Sequence, residues 1–138
     1  MPSKEDHLTK AEHNKGVMQY LLERKPGCPD WVVTVAFYCA LHLVDALLAC
    51  DKDSTAQRHP HDHNSRERVL KQNRYKAISK HYLPLKNASI IARYLSELKG
   101  RSYRSFSDYM GMDRVRTTII NHRLLQIEKS VRHLLSQK

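Results

Sequence analysis

Glycine, proline and cysteine are scarce in this chain, and each scarcity excludes a class of protein. The 138 residues include four Gly, five Pro and three Cys. So few glycines and prolines, together with a hydrophobic share of 41%, exclude collagen-like, low-complexity and largely disordered chains. The cysteines exclude a disulfide framework, because Cys39 and Cys50 would stand about 16 Å apart on one helix. A reducing, cytoplasmic compartment is therefore expected.

Strand patterns are also missing from the sequence. No alternating apolar and polar run is bounded by hairpin residues, and the apolar residues recur at helical spacing instead. A length of 138 residues suits a single domain over 1–138. We predict an all-α fold, an antiparallel up-and-down bundle of four to five helices.

Capping and breaking residues locate the predicted helices. A first helix ends before KPGCPD, and Asp30 is the expected N-cap of a long second helix. Asn64 is the expected N-cap of a third helix, with Glu67 completing a capping arrangement, and this helix is expected to run to about Ser79. A break at Pro84 then separates it from a fourth helix.

Two more helices are indicated by their apolar repeats. The fourth helix carries apolar residues at i, i+3, i+4 and i+7: Ile91, Tyr94, Leu95 and Leu98. The last helix carries a heptad repeat: Ile120, Leu124, Ile127, Val131 and Leu134.

One apolar run, Trp31–Cys50, is long enough to cross a bilayer at about 1.5 Å per residue. It carries His42 and Asp45 near its middle, where ionisable groups in lipid are costly. We therefore predict that this run forms a buried central helix and that the protein does not bind a membrane. The charged stretch MPSKEDHLTKAEHNKG lacks the apolar segment of a signal peptide.

Acidic residues are scarce in one part of the chain. Residues 66–104, the basic middle third, hold eleven Lys and Arg against two acidic residues and carry +9 of the formal charge of +10. The tyrosines interleaved with these cations are Tyr75, Tyr82, Tyr94 and Tyr103. This pattern suits the binding of a phosphate backbone with stacked bases. We therefore predict RNA or a nucleotide as the partner, in preference to a basic surface that contacts only solvent. Arg66 and Arg68 open the region and are predicted to contact that partner.

Three histidines stand at alternate positions in RHPHDHNSRERVL: His59, His61 and His63. The run is similar to the His-x-His-x-Asp-His signature of binuclear zinc hydrolases, but Asp62 follows His61 without the spacer residue. Zinc needs three or four converging ligands, and no cysteine lies near enough in sequence to help. We expect a solvated turn, with no metal and no cofactor, and zinc binding is the less favoured interpretation.

The second helix carries a polar stripe on an apolar background: Thr34, Tyr38, His42 and Asp45. Steps of four, four and three residues place these side chains on one face. They either satisfy one another in the core or line a site inside the bundle. Our prediction is that His42 and Asp45 shape the floor of a binding cleft and that Tyr38 also contacts the bound RNA or nucleotide.

The segment GRSYRSFSDYMG combines arginines with aromatic residues. We predict that Arg101 and Arg104 bind phosphate and that Tyr103 and Tyr109 stack or donate hydrogen bonds. The alternative is a connector whose aromatic rings pack on the end of the bundle.

Known catalytic signatures are missing as well. The sequence has no Walker loop, dinucleotide fingerprint, nucleophile elbow or His-Glu-x-x-His motif. Arg116 and His122 lie six positions apart on the last helix, a spacing that arises easily by chance on a heptad helix.

Three segments, taken in order, resemble the HEPN family, the higher eukaryotes and prokaryotes nucleotide-binding domains. DWVVTVAFYCALHLVDALLA looks like the long second helix of that family. HDHNSRERVL looks like its His-bearing loop before a basic third helix, and LSELKGRSYRSFSDY like its Arg-rich segment closed by Asp-Tyr. The resemblance covers roughly residues 30–135.

The resemblance implies a mostly up-and-down helical bundle that commonly dimerises, with a cleft between protomers near the Arg segment. Many members are metal-independent ribonucleases, often toxins of toxin–antitoxin pairs, and others are inactive binding modules. Active members carry Arg, four to six residues, then His. Projected from Arg101 and Tyr109, the His position falls at Ser107, whose hydroxyl is no general acid or base near neutral pH.

We therefore predict a HEPN-like, homodimeric RNA- or nucleotide-binding protein of a toxin–antitoxin or defence system. One alternative is a metal-independent endoribonuclease toxin, with Arg104, His42 and His63 as candidate catalytic residues. Another is a protein-partner module for an antitoxin or a nucleotidyltransferase.

Overall fold

The structure, a computed structural model, describes residues 2–51, 63–94 and 105–137. These ranges contain helices and connecting turns without a strand, which confirms the predicted all-α helical bundle. The helical elements are α1 (Lys4–Leu22), α2 (Pro29–Ala49), α3 (His63–Leu70), a 3₁₀ turn (Asn73–Tyr75), α4 (Lys76–Tyr94), α5 (Phe106–Tyr109), α6 (Met112–Arg114), a π-helical stretch (Val115–Leu124) and α7 (Leu125–Ser136).

Helix α1 begins at a capping box that the sequence analysis did not identify. The Ser3 hydroxyl accepts from the Asp6 backbone N–H at 3.1 Å, and the Asp6 carboxylate accepts from the Ser3 backbone N–H at 2.8 Å. Two backbone donors that the helix leaves unpaired are satisfied in this way. Ala11 and Met18 are buried where α1 packs on α2.

Helix α2 begins two residues earlier than predicted. Cys28 is the N-cap and Pro29 the first helical residue, so the prediction of Asp30 as the N-cap is wrong. Proline suits the first position because its missing N–H would have no helical partner there. The backbone carbonyl of Asp30 instead accepts a hydrogen bond of 2.8 Å from the Thr34 hydroxyl.

Helix α2 forms the centre of the bundle. It is long and apolar enough to cross a membrane, but 78% of its most apolar 18-residue window is buried inside the protein. Helices α1, α4 and α7 and the π-helical stretch all pack on it. The prediction of a buried central helix is therefore confirmed.

Helix α3 is held on α4 by a carboxylate that was predicted to cap it. The helix begins at His63, so Asn64 lies within its first turn and the predicted Asn64 cap is wrong. The Glu67 carboxylate accepts from Lys86 Nζ on α4 at 2.8 Å. Glu67 therefore joins two helices.

The chain turns between α3 and α4, well before Pro84. Gln72 adopts an extended conformation (φ −65°, ψ 146°) at this turn, and α4 then continues through Pro84 to Tyr94. The predictions of a third helix reaching Ser79 and of a break at Pro84 are therefore wrong. Tyr82 and Leu85, on either side of Pro84, are fully buried, and this burial offsets the backbone hydrogen bond that proline removes.

The C-terminal part of the chain is helical without interruption over residues 112–136. Leu124, Ile127 and Val131 are buried in the core, which confirms the predicted heptad face. The π-helical geometry of Val115–Leu124 was not predicted, because a hydrophobic repeat does not specify a local change in helical pitch.

Candidate functional site

Two adjoining cavities form a cleft where the N-termini of α2 and α3 meet the C-terminal part of α4. The larger, about 520 Å³, is lined by His63, Asn64, Lys86, Ile90, Arg93 and Tyr94. The smaller, about 330 Å³, is lined by Asp30, Trp31, Thr34, Ala92, Arg93 and Tyr94. We call the two together the Arg93 cleft, because both share Arg93 and Tyr94.

Arg93 is held in place by neutral partners. Its Nε donates to the Ser89 carbonyl at 3.2 Å, and its Nη1 donates to the Tyr38 hydroxyl at 3.2 Å. The guanidinium also lies 5.7 Å from the centre of the Tyr38 ring and 5.2 Å from that of Tyr94. Within the ranges that the structure describes, no carboxylate lies in ion-pair distance of Arg93. The residues that the structure describes thus position this positive charge without neutralising it.

Two large aromatic side chains are exposed at the cleft. Trp31 keeps 59% of its surface accessible and Tyr94 keeps 65%. An exposed aromatic ring beside a cation offers both a stacking surface and a charge to an incoming ligand.

His63 gives the cleft a neutral imidazole. Burial lowers the pKa of His63, and the nearby positive charges of Lys86 and Arg66 lower it further. The ring contacts Phe37 with a centroid separation of 5.9 Å. Its Nδ1 is buried and has no hydrogen-bond partner among the described residues. An unpaired buried polar atom is uncommon in proteins and often marks a functional position.

Lys86 contributes a second cation to the cleft, although this one is partly balanced. Its Nζ lies 2.8 Å from Glu67, and both side chains are largely buried. Lys86 therefore contributes less free charge than Arg93.

The polar stripe of α2 does not line a single cleft. Thr34 lines the Arg93 cleft and Tyr38 binds Arg93, but the other two residues contact other helices. His42 meets His7 of α1, and Asp45 pairs with Arg66 of α3. His42 and Asp45, the predicted cleft floor, therefore do not line the Arg93 cleft, and Tyr38 contributes to it through its hydrogen bond with Arg93.

Arg66 and Arg68, predicted to contact an anionic partner, have different environments. Arg66 is buried and donates two hydrogen bonds to the Asp45 carboxylate, from Nε at 2.7 Å and from Nη2 at 3.0 Å. Its guanidinium is directed to Asp45 rather than to solvent, contrary to the prediction. Arg68 is exposed on α3, as a residue that contacts a partner must be.

Tyr109 lies on the short helix α5, half-buried against its neighbours. Its ring packs edge-on against Phe106 at 5.8 Å, and the Arg114 guanidinium lies 5.8 Å from the ring centre. These contacts resemble the packed connector that was the alternative interpretation of this segment. Arg101, Tyr103 and Arg104, and also His59 and His61, lie outside the described residues.

Arg116 and His122 contact different parts of the bundle. Arg116 donates to the Leu22 carbonyl at 3.0 Å, at the end of α1. His122 packs edge-on against His81 of α4, with ring centroids 5.0 Å apart. Among the described residues, the two side chains thus share no contact.

Arg93, Lys86 and Trp31 were not singled out from the sequence, although they carry the chemistry of the cleft. The local signal was weak: a single Trp at a helix start and an Arg-Tyr pair four residues after Ser89. Arg93 and Tyr38 are 55 residues apart in sequence, and only the packing of α4 on α2 brings them together.

A scan of protein-family models finds no match to this chain, and searches of curated proteins and of solved structures find none either. The resemblance to the HEPN family therefore stays a prediction.

Proposed function

We propose that this protein is a HEPN-like RNA- or nucleotide-binding protein of a cytoplasmic toxin–antitoxin or defence system, and that the Arg93 cleft is its binding site. The observation that carries the proposal is the Arg93 guanidinium, which has no carboxylate partner among the described residues and lies beside two exposed aromatic rings. A site of this kind matches a ligand with a phosphate and a base.

The phosphate would be bound by the charged end of the cleft. Arg93 offers the fork of N–H donors that matches phosphate oxygens, and Lys86 adds a second positive charge. Asn64, in the first turn of α3, also lines this cavity, and the dipole of a helix favours an anion near its N-terminus.

The base would stack on the exposed rings. Trp31 and Tyr94 line the smaller cavity, and Tyr94 also lines the larger one together with His63. Each stacked base contributes about 1–3 kcal/mol to single-strand binding, with little preference for sequence. We therefore propose that single-stranded RNA is bound in preference to a duplex.

Binding is tested by titrating a short single-stranded RNA with wild type, Arg93→Ala and Arg93→Lys, using a filter-binding assay. A charge-assisted hydrogen bond is worth about 1.5–3 kcal/mol, so Arg93→Ala is expected to weaken binding about tenfold to a hundredfold. Arg93→Lys keeps the charge and should recover part of the loss. Raising the salt concentration should weaken wild-type binding steeply, because phosphate contacts release counterions.

Arg132→Ala is the matched control for this titration. It removes the same charge from an exposed arginine of α7 that pairs with Glu12 of α1. Equal losses for Arg93→Ala and Arg132→Ala would show binding to the general positive charge and reject the cleft. RNA binding that does not change with salt would reject the proposal as a whole.

The ribonuclease alternative is favoured by one observation, the presence of His63 in the cleft. A neutral imidazole beside cationic groups is suited to act as a general base on a ribose hydroxyl. Wild type incubated with RNA and EDTA should then cleave it, and His63→Asn and Arg104→Ala should stop cleavage. Intact RNA after incubation with wild type would leave binding as the function.

The homodimer and the protein partner are proposals that a mass measurement separates. Size-exclusion chromatography with light scattering should give twice the chain mass for a homodimer. A partner module for an acidic antitoxin or a nucleotidyltransferase would form a salt-sensitive complex with that protein and show no affinity for RNA.

A further inference from the structure

Three side chains with metal-binding atoms converge between α1 and α2, away from the Arg93 cleft. They are His7 on α1 and His42 and Asp45 on α2, and one ligand atom from each lies within 4.8 Å of the other two. His7 and Asp45 are buried and His42 is half-buried. His42 and Asp45 are three residues apart, which places them on the same face of α2.

The two histidines already stand at a separation that suits metal ligands. His7 Nδ1 and His42 Nδ1 are 3.1 Å apart. Two nitrogens bound to one zinc ion at about 2.1 Å in tetrahedral geometry lie about 3.4 Å from each other. The two nitrogens would thus need to move apart by only a few tenths of an ångström. The Asp45 carboxylate oxygen lies within 4.8 Å of both nitrogens, so the Asp45 side chain would need the larger adjustment.

The Asp45 carboxylate is oriented by Arg66 and retains capacity for a cation. Arg66 donates one hydrogen bond to each carboxylate oxygen, at 2.7 Å and 3.0 Å. An ionised carboxylate has about four lone-pair positions, so these two bonds leave about two for a metal. Proteins usually orient a metal-binding side chain by hydrogen bonds from a neighbouring residue.

We infer that His7, His42 and Asp45 bind a late first-row divalent cation, with Zn²⁺ as the fitting ion, and that this ion joins α1 to α2. Two imidazoles and a carboxylate form a nitrogen-rich donor set, which zinc accepts and which magnesium and calcium do not favour. This inference is independent of the Arg93 cleft, because the cleft and the three-residue cluster share no lining residue.

The alternative arrangement is a hydrogen bond between the two imidazoles, one Nδ1–H donating to the other Nδ1. It would also hold α1 on α2, but it would not respond to zinc. Zinc addition therefore distinguishes the two arrangements directly.

The test is isothermal titration of chelator-treated protein with Zn²⁺, and with Mg²⁺ as a comparison. Wild type should bind one Zn²⁺ per chain and no Mg²⁺, and its Tm should rise with zinc concentration, since a ligand of the folded state stabilises it. Replacing a single ligand, in His7→Gln or His42→Gln, should weaken Zn²⁺ binding at least about tenfold. Glutamine keeps a hydrogen-bonding side chain, and circular dichroism without metal checks that each variant folds.

Two further variants show where the zinc binds. His13→Ala removes an exposed histidine from the same helix α1 and should leave binding unchanged. The triple change of His59, His61 and His63 to Ala removes the histidine-rich run and should also leave it unchanged. Substitution with Co²⁺ should give an absorption spectrum of nitrogen and oxygen ligands without a sulfur charge-transfer band.

Wild type that binds no Zn²⁺ would overturn the inference. So would zinc binding that the triple variant loses and His42→Gln retains, because the histidine-rich run would then be the site. Neither result bears on RNA binding by Arg93, so the failure of one proposal is distinguishable from the failure of the other.

Discussion

Individual charged residues in this bundle fall into two kinds, those neutralised inside it and those left available. Arg66 and Asp45 form a buried pair, with side chains 8% and 11% exposed. Arg93 has neutral hydrogen-bond partners and borders a cleft. The sequence places both arginines in the same basic region, and only tertiary packing distinguishes the buried one from the available one.

Breaking the Arg66–Asp45 pair from one side should destabilise the protein strongly. Arg66→Met leaves the Asp45 carboxylate buried without its partner, which costs about 3–5 kcal/mol. Urea denaturation should show this loss for Arg66→Met and a smaller loss for the double variant Arg66→Met with Asp45→Leu. A double variant less stable than the single one would contradict this account, because it would mean that Arg66 acts mainly through packing.

At the scale of the element, α4 shows most clearly where sequence patterns succeed and where they do not. Proline is a reliable helix breaker in an isolated peptide, yet α4 continues through Pro84 because residues on both sides of it are buried on α2. The buried face of the last helix, by contrast, was predicted correctly, because the heptad spacing of Leu124, Ile127 and Val131 is visible in the sequence itself. Local patterns thus predicted which faces are buried, and tertiary burial decided where a helix ends.

Pro84→Ala should therefore stabilise the protein. In a helix interior alanine is more favourable than proline by about 3 kcal/mol, because it restores a backbone hydrogen bond and removes the clash of the ring, and the greater freedom of the unfolded chain removes about 1 kcal/mol of that gain. We expect the free energy of unfolding to rise by about 1–2 kcal/mol in urea denaturation. Asn87→Ala, at an exposed position of α4, is the control and should raise it by less. A loss of stability in Pro84→Ala would show that packing of the proline ring outweighs the missing bond.

At the scale of the whole molecule, α2 is the common packing partner of the other long helices. This architecture was predictable, because a helix that is apolar on all sides has to be surrounded. The candidate site was predicted only in part. Tyr38 and His63 were expected in it, whereas Arg93 and Trp31 enter it because α4 crosses α2, and no local pattern in the sequence encodes that crossing.

Stability should fall as the pH is lowered through the range in which histidines titrate. Burial lowers the pKa of His81, next to Arg123 and His122, and burial also lowers that of His63, next to Lys86 and Arg66. In the unfolded chain these imidazoles bind protons near their ordinary pKa of about 6.5. The unfolded state therefore binds more protons over this range, and the free energy of unfolding decreases with falling pH until the folded imidazoles protonate too.

His81→Gln should make this pH dependence shallower. Glutamine does not titrate, and its side-chain oxygen can still accept from Arg123, which lies 3.2 Å from His81 Nδ1. Urea denaturation at about pH 7.5 and about pH 5.5, with EDTA present, compares the two proteins across the ordinary histidine pKa. An unchanged slope in His81→Gln would show that other groups control the pH dependence.

Trp31 has a consequence for how the Arg93 cleft can be observed. It is the single tryptophan of the chain, and it lies at the cleft with 59% of its surface exposed. Excitation of indole fluorescence therefore reports from the proposed base-binding surface alone, without a label. A base stacked on Trp31 should quench this emission, and Arg93→Ala should shift the quenching curve to higher ligand concentration. Because the indole is already in contact with water in the folded state, the same emission is a poor measure of unfolding.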